Sequence, residues 1–288
     1  MTTVIPETSG PPFDGAVAVP RLSAQEVAAV RVTQLRVLRS EWMKMRTLRS
    51  SWLSLGLAIA SMAGIGIIIS WSTANDWQHM RPRQQARFNP LADPLSGFNL
   101  AQLAVGVLGV LLIAGEYSTG MIRASLGAVP KRLPVLWAKV VVFMVTTLVT
   151  MLPISVLTFF ISQRFLAEQH IQTTWSAPNV ARSVIGVGLY LTVVAVLGIG
   201  LGAIVRNVAG AIATLVGVLL VLPVIATALP ENWANRINKW LPSNAGQALM
   251  SLGGDTTTLS PWRGFIVFCA YAVAVLAAAA ILLKRRDA

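Results

Sequence analysis

Glu116 ends a run without formal charge from Gly97 to Gly115, and "YSTGMIRASLGAVPKR" follows it. A carboxylate at the end of an apolar run, one arginine (Arg123) and a Pro-Lys-Arg stop suit electrostatic docking, not bond breaking. Other chemistries lack their residues. His79 and His170 stand apart and read as surface residues, and the chain contains no HExxH zinc motif and no GxSxG elbow. A G-x-x-x-x-G-K-[ST] phosphate loop is also missing, and no Gly-Lys dipeptide occurs, so no nucleotide is expected to bind this chain in that way. The single Cys269 supports neither a disulfide framework nor a metal cluster and reads as a small packing residue. "GIGLGA" at 198–203 imitates a dinucleotide fingerprint, but no strand precedes it and no βαβ unit surrounds it. The expectation is therefore no catalytic residue, no metal and no cofactor bound by the chain.

The elements that must position Glu116 are set by composition. Of 288 residues, 55% are hydrophobic and 12% charged, against roughly 25% charged in soluble domains. A hydrocarbon core of ~30 Å requires about 20 apolar residues per helix. Six such runs occur, Trp52–Trp71, Gly97–Gly115, Val140–Ile161, Val184–Val205, Val208–Leu229 and Gly264–Leu283, and none contains an ionisable Asp, Glu, Lys, Arg or His. The expected fold is an all-α integral membrane protein, with spans at about 52–71, 97–115, 136–162, 182–205, 208–229 and 262–283. A β-barrel would instead show short alternating segments. Arginines and lysines are denser in the segments on the N-terminal side of the membrane, which places both termini in the cytoplasm. The net charge of +12 sits beside spans, where it suits anionic head groups, so lipid and not nucleic acid is the expected contact.

Residues 1–22 are rich in Pro, Gly and Thr and read as a mobile tail. "SAQE" at 23–26 has capping-box spacing and opens a helix, giving an interfacial segment over 23–50 ahead of a transmembrane domain over 51–288. On that helix Leu35, Leu38, Trp42 and Met45 share a face. Arg36 and Lys44 point away from it, and Arg39, Arg46 and Arg49 border it. This spacing predicts a helix lying in the inner interface with its arginines reaching phosphate, the alternative being a solvated basic helix. Asn99 and Gln102 fall in the outer half of the second span, where they either face a polar path or bond a neighbouring helix. Lys139, near the inner end of the third span, is expected to snorkel, and Pro153 to kink that span. Gly198 and Gly202 have small-xxx-small spacing, a close-packing signal. Pro223 falls in the fifth span, and residues 230–261 hold two short amphipathic helices that lie in the outer interface or dip into the bundle.

The cost of burial puts Glu116 at the inner boundary, where it would begin a short helix over Tyr117–Val129, near the positive end of that helix's dipole. The alternative is a plain topological loop. With no ionisable residue inside the spans, a proton relay is disfavoured and energy for uphill transport would come from a cytoplasmic partner.

"GEYSTGMIRASLGAVPKRLPVLWAK" resembles the E-Y-x-x-G-x-[IL]-R-x-x-L-x-x-x-P-x-R stretch of bacterial type-2 ABC exporter permeases. "LRSEWMKMRTLRSSW" (38–52) is similar to their E-x-x-K-x-R lead-in to the first span, and "WLPSNAGQAL" (240–249) to their outer segment before the last. The three occur in the family's order. The resemblance implies a half-transporter of the bacterial cytoplasmic membrane that pairs with a second permease, identical or related, and recruits two ATP-binding cassette subunits holding ATP and Mg. It implies a coupling helix at Glu116–Val129 with Glu116, Tyr117, Gly120 and Arg123 at the matching positions. It also implies an elbow helix near 24–49 that includes Arg36, Arg39, Trp42, Lys44 and Arg46, and an outer gate segment near 231–252 that includes Trp233, Trp240 and Asn244. Met121 stands where the family more often has Thr. A secondary carrier or channel, or a non-transporting scaffold, is the alternative function.

Overall fold

The computed structural model describes residues 33–118, 132–252 and 258–285. The tail, the capping box at 23–26 and most of the expected coupling helix, with Gly120 and Arg123, lie outside them. Among the described residues there is no strand. Six helical stretches are long and apolar enough to cross a membrane: Arg49–His79, Ala92–Ser118, Leu133–Ala167, Val180–Val205, Val208–Thr227 and Pro261–Arg285. The chain is a multi-pass membrane protein.

Helix α1 (Gln34–Thr47) stops at Leu48, whose extended backbone (ψ 118°) breaks it from the first span, α2 (Arg49–Asp76). Two short helices, Pro82–Gln85 and Ala92–Leu95, lead to α3 (Phe98–Ser118). α4 (Arg132–Ala167) runs unbroken through Pro153. α5 (Val180–Val205) turns into α6 (Val208–Val216) at Arg206, a left-handed residue (φ 57°) whose N–H donates to the Gly202 carbonyl at 3.0 Å. A wide π-type turn over Gly217–Val221 joins α6 to α7 (Leu222–Thr227). Pro223 has no N–H to continue an α ladder, and the widened turn just before it re-routes the backbone bonds around that gap. α8 (Glu231–Ile237), α9 (Pro242–Gln247) and α10 (Pro261–Arg285) complete the chain.

α5 is the axis of the bundle. In its most apolar window 78% of residues are buried, against 17% for the fifth span. Its glycines explain how neighbours come so close. A Cβ on Gly198 would drive into the Gly106 carbonyl oxygen of α3, and one on Gly202 would lie 3.0 Å from the Val110 carbonyl oxygen. The small-xxx-small pair is thus the seam on which α3 and α5 meet backbone to backbone. Gly188 plays the same part toward α4, where a Cβ would stand 2.7 Å from the Leu152 Cα. In a bilayer, where tails compete equally for apolar side chains, such close packing is a main source of helix association.

The chain from 242 to 250 dips into the bundle. Pro242, Ser243, Ala245, Gly246, Ala248 and Leu249 are buried, and a Cβ on Gly246 would strike the rings of Phe268 and Tyr190. Glu231–Trp240 stays exposed, with Trp233 at 64% and Trp240 at 49%. Of the two placements expected for this segment, residues 242–250 take the one that dips into the bundle.

Candidate functional site

At one end of the bundle, four ionisable side chains from three helices converge. Glu41 and Lys44 lie on α1, Glu116 in the last turn of α3, and Lys139 two turns into α4. The Lys139 Nζ donates to Glu41 Oε2 at 2.6 Å and to Glu116 Oε1 at 2.7 Å. The Lys44 Nζ donates to Glu41 Oε1 at 2.9 Å and to Glu116 Oε1 at 3.2 Å. Side-chain exposure is 4% for Lys139, 6% for Glu41 and 8% for Glu116, while Lys44 keeps 38%. Among the described residues, two carboxylates and two ammonium groups are thus matched in a nearly dry place. That balance lets the cluster exist, because an unmatched buried charge is costly and a matched, hydrogen-bonded one is tolerated.

Three expectations need correction here. Glu116 does not open a new helix; it belongs to the C-terminal turn of α3, where the helix dipole opposes a carboxylate and the two lysines offset it. Lys139 does not snorkel, since it is 5% exposed and paired with two carboxylates. Lys44, expected to point away from the apolar stripe of α1, turns to Glu41 and Glu116. Burial alone would lower its pKa, but the hydrogen bond and charge of Glu41, with the charge of Glu116, outweigh that and hold it above the ordinary lysine value. Its ammonium form therefore persists through the ordinary lysine range.

The face that α1 turns inward is Val37, Glu41 and Met45, rotated from the apolar stripe expected. Leu35 (76% exposed) and Trp42 (47%) face outward, as do Arg36, Arg39 and Arg46. Glu41 can face the bundle because Lys139 waits there. The backbone is pinned nearby as well, with Gln34 Nε2 donating to the Pro134 carbonyl at 3.1 Å. Next to Glu116 in the chain, the half-buried Tyr117 lies under Arg206, whose guanidinium carbon is 5.0 Å from the ring centroid. Arg206 also reaches the Leu282 carbonyl at 3.4 Å. A second tie thus joins the ends of α3, α5 and α10.

Sequence reasoning singled out Glu116, Tyr117 and Lys44 but not Glu41, Lys139 or Arg206 as members of one site. A signal for Glu41 existed in the E-x-x-K spacing of "EWMK". Pairing over 98 positions, as between Glu41 and Lys139, has no local signature.

Asn99 and Gln102 do not line a common path. Asn99 is exposed and its Nδ2 donates to the Ser96 carbonyl at 3.0 Å. Gln102 is fully buried and accepts from the Tyr190 hydroxyl at 2.5 Å, which Gln247 also contacts. Its role is the helix-bonding alternative. Tyr190 stacks on Phe268 at 5.1 Å and meets Phe98 edge-on at 5.8 Å, which closes this end of the bundle around one polar knot. Asn244 is half-buried, with its Nδ2 2.9 Å from the Asn238 carbonyl, beside a polar cavity of about 380 Å³. His79 and His170 are exposed, and among the described residues no group of His, Cys, Asp and Glu could hold a metal ion.

No protein-family model matches the chain, and no curated protein matches it significantly. What the cluster offers is mechanical. It ties α1 to the ends of two spans, on both sides of residues 119–131.

Proposed function

We propose that the chain is the membrane-spanning subunit of an ATP-driven exporter in a bacterial cytoplasmic membrane, forming its translocation path with a second permease copy and driven by two separate ATP-binding subunits that carry ATP and Mg. The observation that carries this reading is the Glu41–Lys44–Glu116–Lys139 cluster. It anchors both ends of the 119–131 segment, Glu116 before it and Lys139 after it. A push on that segment would therefore move α1, α3 and α4 together and not simply bend a loop. The order of motifs resembling type-2 exporter permeases and the missing phosphate loop point the same way.

In this reading the cluster faces the cytoplasm, and α1 lies along the inner leaflet with Leu35 and Trp42 against lipid and Arg36, Arg39 and Arg46 at phosphate level. Gly120, Arg123 and Tyr117 belong to the surface that meets the ATPase. The Trp233–Trp240 stretch lies in the outer interface as a rim to the exit, with Asn244 behind it.

The test is co-expression with a neighbouring ATP-binding subunit, followed by purification and ATP turnover in proteoliposomes. The tagged chain is expected to retain the ATPase and to stimulate it. Arg123→Ala, outside the ion cluster, should return turnover to that of the ATPase alone while membrane insertion stays intact. A chain that never retains an ATPase, or that moves solute on an ion gradient without nucleotide, would favour a secondary carrier and end this reading.

A further inference from the structure

The cavity of about 380 Å³ beside Asn244 has polar walls that include Asn235, Asn238, Lys239, Asn244, Gln247 and Ser251. Four of these six carry carboxamides, brought together by α8, the turn after it and α9. Asn235 is exposed and the other five are half-buried. Asn244 Nδ2 donates to both the carbonyl and the side-chain oxygen of Asn238, which fixes the two amides against each other. Asn244 Oδ1 as acceptor and Asn238 Nδ2 as donor are then left for an occupant. Gln247 also contacts the Tyr190 hydroxyl, so this wall is tied to α5 through the buried knot. The volume lies within the range of pockets that take small ligands, roughly 300–1,000 Å³. It equals that of about a dozen liquid waters, at roughly 30 Å³ each. A hexose, with about as many non-hydrogen atoms bonded more tightly, fits and leaves room for bridging water.

We propose that this cavity binds the ring of a neutral saccharide. Each carboxamide carries an acceptor oxygen and two N–H donors, and each sugar hydroxyl both donates and accepts, so the two kinds of group satisfy one another in pairs. Other ligand classes leave part of the wall unmatched. A phosphate or carboxylate only accepts, and would set its oxygens against the amide oxygens. An ammonium group only donates, and would face Lys239. An apolar molecule would strip water from all four amides and return no hydrogen bond. Lys239 donates to a hydroxyl oxygen as the amides do. The site is a property of this chain and stands whether or not an ATPase drives it.

The experiment places the full chain in phosphatidylcholine nanodiscs and measures saturation-transfer NMR from protein to the methyl glycosides of glucose, galactose, mannose and N-acetylglucosamine. At least one should show transfer to its ring protons that saturates with concentration and is missing from empty nanodiscs. Glycerol 3-phosphate should not displace it. Asn235→Leu removes one amide at an exposed position and should weaken that glycoside about fivefold, the usual worth of one hydrogen bond. Trp233→Ala, also exposed but outside the cavity walls, should leave its affinity unchanged. Nanodiscs that contain a diacylglycerol glycoside of the same sugar separate two sources of the ring. Loss of methyl glycoside transfer there marks a lipid head group as the occupant, and unchanged transfer marks a free sugar. No saturable transfer to any of these glycosides, tighter binding of glycerol 3-phosphate than of every glycoside, or the same affinity in Asn235→Leu as in Trp233→Ala would overturn the proposal. The contest between sugar and phosphate on the unaltered chain decides it even if a variant fails to fold.

Discussion

Lys139→Met should destabilise the bundle by about 3–5 kcal/mol, the usual loss when one partner of a buried ion pair is removed. Methionine approximates the length of lysine, so the packing between α1 and α4 is largely kept and the electrostatic loss dominates. What remains is Glu41 and Glu116, both nearly buried, with Lys44 as the ammonium group that they still share. The measurement is the midpoint of denaturant-induced unfolding in mixed micelles, read as loss of helix-packing fluorescence. Charge balance can be restored separately. Lys139→Met combined with Glu116→Gln leaves Glu41 facing Lys44, a neutral pair, and should be more stable than Lys139→Met alone. Such a reversal is the coupling expected of residues in one hydrogen-bonded ion network and not of distant, independent sites. Two losses that simply add would mean that the cluster is four separate side chains and not one unit.

The second large effect belongs to the α3–α5 seam. Gly198→Leu should force the two helices apart, because even a Cβ at 198 collides with the Gly106 backbone and backbone cannot move aside as a side-chain tip can. Overpacking of this kind costs about 1–3 kcal/mol and sometimes more, and the splayed seam should also unseat Gly202 from Val110. The control is Gly64→Leu in α2, where nothing lies within 4 Å of the added Cβ. That variant should unfold with the unaltered protein. Equal losses at 64 and 198 would indicate that leucine harms any glycine site here and that the seam has no special closeness.

Much of the architecture is legible in the sequence because the bilayer imposes a simple rule. Runs free of charge and about 20 residues long become helices, and the six found that way overlap the six helices of the fold. The helices run longer than the runs. α4 starts at Arg132 and ends at Ala167, since polar residues can extend a helix past the apolar part. Gly198 and Gly202 were also readable, because close helix packing leaves few uses for glycine at that spacing. The charged cluster was only half readable. Glu116 drew notice because it ends an uncharged run. Its pairing with Lys44 and Lys139, and the place of Glu41 beside them, are not readable, because the stripe of Leu35, Leu38, Trp42 and Met45 is the stronger local pattern on α1. Helical periodicity tells which residues share a face, but not whether that face meets lipid or protein. A glutamate facing inward is expected only once a lysine from another helix is known to meet it. Gln102 teaches the same lesson, since its partner Tyr190 lies 88 positions away.

Chain order makes the cluster a timing constraint during synthesis. Glu41 and Glu116 leave the ribosome before Lys139, so a nascent chain that has just completed its second span holds two carboxylates and one lysine. Those two helix ends cannot yet close together out of water; they must stay wet until the third helix arrives with its cation. Residue 139 thus works as a latch, and biogenesis of the first three helices becomes a single committed event.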